Sequence, residues 1–358
     1  MINAPTARPA VCIAGPLLGA NRGISPSQGE VLGGMLAGDG YPVRLTSTHA
    51  GRIPRLADTL FSLWRWRAKV DLVVVMVFSG PSFYMADLSS AMARFMNKPT
   101  VFWLHGGSLP EFGRENPARV RRVLSRGKAI VSPSHFLKQS FSELGFPIEV
   151  IPNLLAIEEY PFRLRKTAQP RILWMRAFHE LYNPRLALDV FSQLQQEYPQ
   201  ATLTMAGQDK GQLEAVRQMA EFRGLQKLVR FPGFLDTSGK RREFSSHDIF
   251  LNTSVVDNQP VSLIEAAAFG LPIVSTSAGG IPHLLKNGET ALLAQQPSAG
   301  DLCASLHKIL SNPGLARKLS AGGRRLAVRF AWHNVKPLWD DLFDRVAKDT
   351  PAAVYARS

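Results

Sequence analysis

The chain reads as an α/β protein, two doubly wound Rossmann-like domains in series. Three observations carry that reading. Short β-branched apolar runs recur between helical stretches, the same pattern restarts after a polar, proline-ended segment, and 358 residues suffice for two domains of ordinary size.

In the first half the expected strands are "AVCIAG" (10–15), "YPVRLTS" (41–47), "DLVVVMVF" (71–78), "TVFWLHG" (100–106), "KAIVSPS" (128–134) and "IEVIPN" (148–153). Helical patterns such as "SQGEVLGGMLAGDG" and "SHFLKQSFSELG" separate them. Near-continuous apolar strands spaced by helices imply parallel strands buried on both faces. "RLRKTAQP" (163–170) is polar, basic and ends in proline, so it reads as a linker. The second series is "RILWMR" (171–176), "ATLTMAG" (201–207), "LVRFPG" (228–233), "DIFLNTS" (248–254), "LPIVSTS" (271–277) and "TALLAQ" (290–295). Helices alone follow residue 296. "AWHNVKPLWDDLFDRV" (331–346) has aromatic and apolar residues at helical spacing and is expected to pack across the domains, with "KDTPAAVYARS" as a loose terminus. The expected division is 1–165, 166–330, and a closing helix and tail over 331–358. In such sheets ligands sit at the carboxyl ends of the strands, and with two domains the natural site is the cleft between them.

Composition narrows the class. Hydrophobic residues make up 45% and charged residues 20%, a globular balance. The net charge of +14 is shared by both halves: 19 Lys/Arg against 11 Asp/Glu up to residue 165, and 23 against 17 beyond it. A positive field suits an anionic ligand, an anionic membrane surface or nucleic acid. Cys12 and Cys303 sit in apolar contexts far apart in sequence and read as buried reduced thiols, which fits the cytoplasm. The start resembles a signal peptide only superficially. Arg8 alone precedes the apolar part, and Gly15-Pro16 interrupts it. The longest apolar run, "LVVVMVF" (72–78), falls far short of the roughly 20 residues that span a membrane, so any membrane contact is peripheral.

The densest stretch is "SVVDNQPVSLIEAAAFGLPIVSTSAGG" (254–280). Pro260 suits a first helical position, "VSLIEAAAF" is a good helix former, and Gly270 closes the helix before the next strand. Asp257 therefore lies in the loop at the carboxyl end of a strand, and Glu265 about one and a half turns into the helix. That offset places them roughly 10 Å apart. It argues against two carboxylates sharing a proton and for two that grip separate hydroxyl groups of one extended ligand. The backbone N–H groups of Gln259 to Val261 are expected to face the same ligand. Gly279 and Gly280 allow a close backbone approach, and Pro282 starts a helix whose N-terminus favours an anion.

These residues resemble the Glu-x7-Glu signature of retaining glycosyltransferases with the GT-B fold, specifically glycosyltransferase family 4, the group 1 glycosyltransferases. The match here is Asp257-x7-Glu265, then "EAAAFGLPIVSTSAGGIPHLL" and "NGETALLA", with "VSPSHFLKQSF", "VIPN", "RILWMRAF", "LTMAG" and "FAWHNV" elsewhere. The resemblance implies that Glu265 binds the ribose hydroxyls of a nucleotide-sugar and that Asp257, an aspartate where glutamate is usual, contacts the donor sugar. It implies that Arg176 holds the diphosphate, with Asn258, Gln259, Val261, Gly279 and Gly280 completing the donor site. The lysine usual beside that arginine is Leu181 here, in "HELYNP", and Arg185 or Lys210 are the candidate substitutes. In the first domain Gly15, Gly19 and Gly23 are spaced too widely for a GxGxxG dinucleotide fingerprint. They resemble the family's glycine-rich loop, with Gly23 the matching residue. His105, in "HGG" (105–107), matches a family position near the donor sugar, and hydrogen-bonds a hydroxyl in either charge state.

No Cys/His cluster, HExxH, DxD between strands or GxSxG occurs, so no metal and no serine triad are expected. Two basic stretches remain. "RIPRLADTLFSLWRWRAK" (52–69) puts Ile53, Ala57, Leu60, Trp64 and Ala68 on one helical stripe, which suits either a core-facing stripe with a solvated cationic face or a membrane surface. "RENPARVRRVLSRGK" (114–128) carries six cations and one acid. No recognised nucleic-acid module accompanies the charge. The expected function is transfer of a sugar from a nucleoside-diphosphate donor (UDP, GDP or ADP type) to a glycan, lipid-linked or small-molecule hydroxyl. Retention of configuration and no bound cofactor are expected. The alternatives are an epimerase of the same fold and a non-catalytic sugar-nucleotide binding protein.

Overall fold

The computed structural model describes residues 8–348. The stretch after Lys348, read as a loose terminus, lies outside them. The chain divides into two compact units, Met1–Leu154 with His333–Ser358, and Leu155–Trp332.

The first unit is built on six parallel strands: β1 (Val11–Ala14), β2 (Val43–Leu45), β3 (Leu72–Val77), β4 (Thr100–Leu104), β5 (Ala129–Ser132) and β6 (Glu149–Val150), in the order β2-β1-β3-β4-β5-β6. Every residue of β1, β3 and β4 is buried, as continuous apolar runs require when helices cover both sheet faces. The second unit repeats the plan with β7 (Arg171–Met175), β8 (Thr202–Ala206), β9 (Val229–Gly233), β10 (Ile249–Asn252), β11 (Ile273–Ser275) and β12 (Leu292–Leu293), in the order β12-β11-β10-β7-β8-β9. Along β7 the pleat sends Ile172 and Trp174 into one core with Leu186, Phe191 and Leu302. It sends Leu173 and Met175 into another with Leu263 and Phe269. All twelve expected strands are present, each shorter than its apolar run.

The two orders decide where ligands go. A doubly wound sheet opens a crevice where the strand order reverses, outside the carboxyl ends of the strands. In the first unit that point lies between β1 and β3, and in the second between β7 and β10. The segments leaving β1, β7 and β10 are those of Gly23, Arg176 and Asp257.

Two expectations need correction. The segment 163–170 is no linker. Arg165 is 1% exposed, and its guanidinium donates to the carbonyls of Phe244 (2.8 Å), His247 (2.9 Å) and Phe269, while Arg163 pairs with Asp248 at 2.7 Å. Polar composition misleads here because a buried arginine can satisfy several carbonyls at helix ends at once. The boundary therefore falls at Leu154, not 165. The helix Trp332–Lys348, expected to pack across the domains, buries its side chains in the first unit. Trp339 meets Trp103 edge-on at 5.0 Å, Tyr41 donates to Asp340 at 2.7 Å, and Arg345 pairs with Glu149 at 2.6 Å.

The helix Arg52–Trp66 distinguishes the two readings left open for its stripe. It turns Arg55, Thr59, Ser62 and Leu63 inward and leaves Ile53 81%, Phe61 60% and Trp64 44% exposed, with Ala57 and Ala68 exposed as well. The apolar stripe thus faces out. The buried face is set by Arg55, which donates to the carbonyls of His49 and Ala50, and by small residues where the helix packs on Phe83–Phe95.

Candidate functional site

The site in the second unit is assembled by a buried polar network. At the ends of β10 and β11, Asn252 donates to Ser275 at 3.0 Å, Ser254 donates to Asn252 at 2.9 Å, and Thr276 donates to the carbonyl of Ser254 at 2.7 Å. Satisfied networks of this kind fix one conformation, here that of the loop carrying Asp257. The glycine pair completes it. A Cβ at Gly279 would stand 2.3 Å from the Asp257 carbonyl oxygen, and one at Gly280 1.9 Å from that of Asn258. The close backbone approach that the sequence suggests is therefore made by the chain's own 257–258 loop. The Gly280 N–H donates to the Asp257 carbonyl at 2.8 Å, so it does not serve an anion. The helix behind it, Ile281–Leu284, is a single turn.

Each acid has its own cation. Arg176 follows β7, and its guanidinium pairs with Asp257 at 2.5 Å, donates to Ser262 at 3.1 Å and lies 3.9 Å from the centre of the Tyr182 ring. Its side chain is only 12% exposed, so it is held at the strand end and not in solvent. Gly207, at φ +151, admits the Arg176 carbonyl where a Cβ would lie 1.9 Å from that oxygen. Glu265 sits on the helix Val261–Phe269, 6% exposed. Lys240 reaches its Oε1 and Oε2 at 2.9 and 3.1 Å, and the Tyr160 hydroxyl donates to Oε1 at 3.2 Å. Burial, then the neighbouring Glu265 charge, push the Tyr160 hydroxyl well above its ordinary range, so it remains a donor. The two acids are thus tied to different cations on different elements. Asn258 is buried, whereas Gln259 and Val261 are half-buried, and the N-cap of the helix that begins at Val261 is Pro260.

Leu181, where a lysine is usual in the family, lies in the turn Glu180–Tyr182, and its carbonyl accepts from Val255 at 2.8 Å. "HELYNP" works locally. His179 accepts from the Leu181 N–H, Tyr182 stacks under Arg176, and Asn183, at φ +45, caps the helix Pro184–Glu197. Arg185 and Lys210 are exposed.

Sequence reasoning misses Lys240 and Tyr160. A signal exists for the first. In "DTSGKRREF", Asp236 caps the helix Thr237–Ser246, and Lys240 stands four residues before the fully buried Phe244, on the inward face. Tyr160 lies in a stretch that reads as the end of the first domain.

In the first unit, Gly23 adopts φ +81 with open space around it, and its loop is held by Glu30, which accepts from the Gly19 N–H (2.8 Å) and the Ser27 N–H (2.7 Å). His105 follows β4, 7% exposed, stacked on Phe78 at 5.1 Å and tilted on Trp103 at 4.5 Å. Its Nε2 is buried without a hydrogen-bond partner, and burial pulls its pKa down to about 3. Burial therefore favours the neutral ring, against the expectation of either charge state. Cys12 and Cys303 are buried and free. Among the described residues, no three His, Cys, Asp or Glu side chains gather as a metal cluster, and no helix is long and apolar enough to cross a membrane.

Comparison with known proteins adds relatives to this geometry. A model described as glycosyl transferases group 1 matches residues 156–326, and one described as glycosyltransferase family 4 matches residues 25–159. Glycogen synthase of Mycobacterium tuberculosis is 26% identical over 270 residues, which make up 70% of this chain and 64% of that one. A component of the human phosphatidylinositol N-acetylglucosaminyltransferase is 27% identical over 207 residues, 56% of this chain and 41% of that one. The chain thus spans less than two thirds of the length of these relatives. Anabaena HepE, solved with UDP and glucose, superimposes with a TM-score of 0.75 at 15% identity, covering 94% of this chain and 99% of that one. At that identity the likeness is one of fold, the GT-B fold.

Proposed function

The chain belongs to the group 1 glycosyltransferases of family 4, and from that premise we propose that it is an enzyme moving a sugar from a nucleoside-diphosphate donor to an acceptor hydroxyl. The observation that carries the reading is the pair of acids at the switch point of the second sheet, each neutralised by a separate cation. In the reaction the acceptor oxygen forms a bond to the anomeric carbon, the bond from that carbon to the diphosphate oxygen breaks, and the acceptor proton leaves with the diphosphate. Arg176 meets the departing charge. It is desolvated and already oriented by Ser262 and Tyr182, and donors fixed in advance stabilise developing charge at little reorganisation cost. Asp257 exchanges its partner for sugar hydroxyls, and Glu265 takes the ribose. Neutral His105 and the Gly23 loop keep the sugar- and acceptor-side roles that resemblance gives them. Retention of configuration and independence of metal belong to the same proposal.

The acceptor is proposed to be a glycan or a lipid-linked hydroxyl. The human relative's name points to a lipid, phosphatidylinositol. The outward stripe of the helix Arg52–Trp66 agrees with work at an anionic bilayer. Trp64 stacks on Phe95, itself 73% exposed, at 6.3 Å, and the Arg67 guanidinium lies 4.2 Å from the centre of the Trp64 ring, with Arg52, Arg65 and Arg94 exposed nearby in sequence. Apolar side chains rimmed by arginines suit an interface of acyl chains and anionic headgroups.

Two measurements test these readings. Incubation with radiolabelled UDP-, GDP- and ADP-sugars and a panel of polyprenyl-phosphate-linked and free saccharides should give transfer with one donor, the anomeric configuration being read by NMR. Epimerised donor, or binding without turnover across the panel, would contradict it. Co-sedimentation with phosphatidylglycerol vesicles should be strong, weaken with salt, and fail with phosphatidylcholine alone or with the double variant Phe61→Ser/Trp64→Ser. Equal binding to both lipids removes the preference for anionic headgroups, and no binding removes the membrane role.

A further inference from the structure

We propose that Lys240 is a positioning residue that sets how Glu265 receives the ribose, and so makes the site select ribonucleotides. This rests on the reading that Glu265 grips the nucleoside. The argument is an inventory of lone pairs. A carboxylate offers about four acceptor sites on its two oxygens. Oε1 of Glu265 already receives both Lys240 at 2.9 Å and the Tyr160 hydroxyl at 3.2 Å, whereas Oε2 receives Lys240 alone at 3.1 Å. Oε2 therefore keeps capacity for a hydroxyl donor. Lys240 touches both oxygens, which fixes the carboxylate plane, and its ammonium has three donors, so one N–H remains for a ligand oxygen.

The surroundings single Lys240 out. Arg241, the next residue, is held by Glu159 at 2.8 Å, and Arg176 is held by Asp257. The Asp236 cap fixes the start of the helix Thr237–Ser246, placing Lys240 on its first turn. Glu265 lies in an apolar helix with only 8% of its side chain exposed, where a carboxylate without a cation is strongly disfavoured.

The test is calorimetric titration of the full chain with UDP, ADP and GDP, their 2′-deoxy counterparts and pyrophosphate, on wild type, Lys240→Met, Lys240→Arg, Glu265→Gln and the double variant Lys240→Met/Glu265→Gln. For the base that binds, Lys240→Met should weaken the ribonucleotide about tenfold, the effect of one charge-assisted hydrogen bond. It should leave the 2′-deoxy compound and pyrophosphate unchanged, so that the wild-type preference for ribose collapses. Lys240→Arg should restore most of that preference, and the double variant should bind as Glu265→Gln does. Equal weakening of ribo and deoxy ligands, or no weakening by Lys240→Met while Glu265→Gln loses affinity, overturns the proposal alone. Failure of every nucleotide to bind wild type overturns the underlying site reading with it. Thermal melts check folding, and Lys240→Gln replaces the methionine variant if that one melts early.

Discussion

The two units share a plan of six parallel strands but finish the carboxyl ends of their central strands differently. In the second unit those ends carry charges that are paired, desolvated and locked by backbone packed against glycine. In the first they carry a loop whose Gly23 faces open space and a histidine between aromatic rings. The first unit's arrangement suits a neutral hydroxyl partner, the second's a charged, hydroxyl-rich one. The difference teaches that a glycine can matter for what the chain itself does. Gly280 is needed because Asn258 lies against it, Gly23 because of its φ.

The comparison can be broken most severely at Arg165. Arg165→Met removes three hydrogen bonds to carbonyls in a buried charged network and should cost about 3–5 kcal/mol. Stepwise urea unfolding followed by limited proteolysis should show the second unit opening first, and an unchanged midpoint would restore the linker reading. Next comes Arg176→Met, expected to lower kcat by about 10²–10³, as loss of one preorganised donor does, with the fold kept. A change confined to KM would assign Arg176 to uniform binding. Glycines give the cleanest contrast. Gly280→Ala must displace backbone and should cost about 1–3 kcal/mol, whereas Gly23→Ala meets only the positive φ and should cost about 1 kcal/mol. Equal losses would erase the distinction between the units.

The smallest effect is one of pH. The folded state lowers the pKa of His105 to about 3 from an ordinary 6.5, and burial lowers that of His247 as well. The unfolded chain therefore binds protons that the fold refuses. The stability that the neutral His105 ring contributes is present above about pH 6.5 and is lost as pH falls towards 3, by up to about 1.4 kcal/mol per pH unit, and His247 acts in the same direction. Unfolding midpoints between pH 6.5 and 4 should show this slope, and His105→Leu should flatten it in the first unit.

Much of this is legible in the sequence because it repeats. Runs such as "LVVVMV" admit few readings but a strand buried on both faces, and Pro260 and Gly270 bracket a helix by backbone geometry alone. Asp257 and Glu265 stand out through spacing. Lys240 does not, since three successive cations differ only in helical phase, and that phase is set by a tertiary partner, Phe244 packing inward. The helix Arg52–Trp66 stays ambiguous in the sequence for a related reason. Its apolar stripe has the right period, but period does not say which face meets the core, and Arg55 turns the polar side in. Arg165 is hard to place because its partners are carbonyls, which composition does not display.

The central claim, that Glu265 and its helix hold a nucleotide-sugar, is tested most directly by calorimetric titration of UDP-, GDP-, ADP- and dTDP-sugars into wild type and Glu265→Gln. One donor class should bind wild type, and the variant, which keeps the shape but not the charge, should bind it at least about tenfold more weakly. Equal affinity in both proteins, or no binding to wild type, would contradict the account.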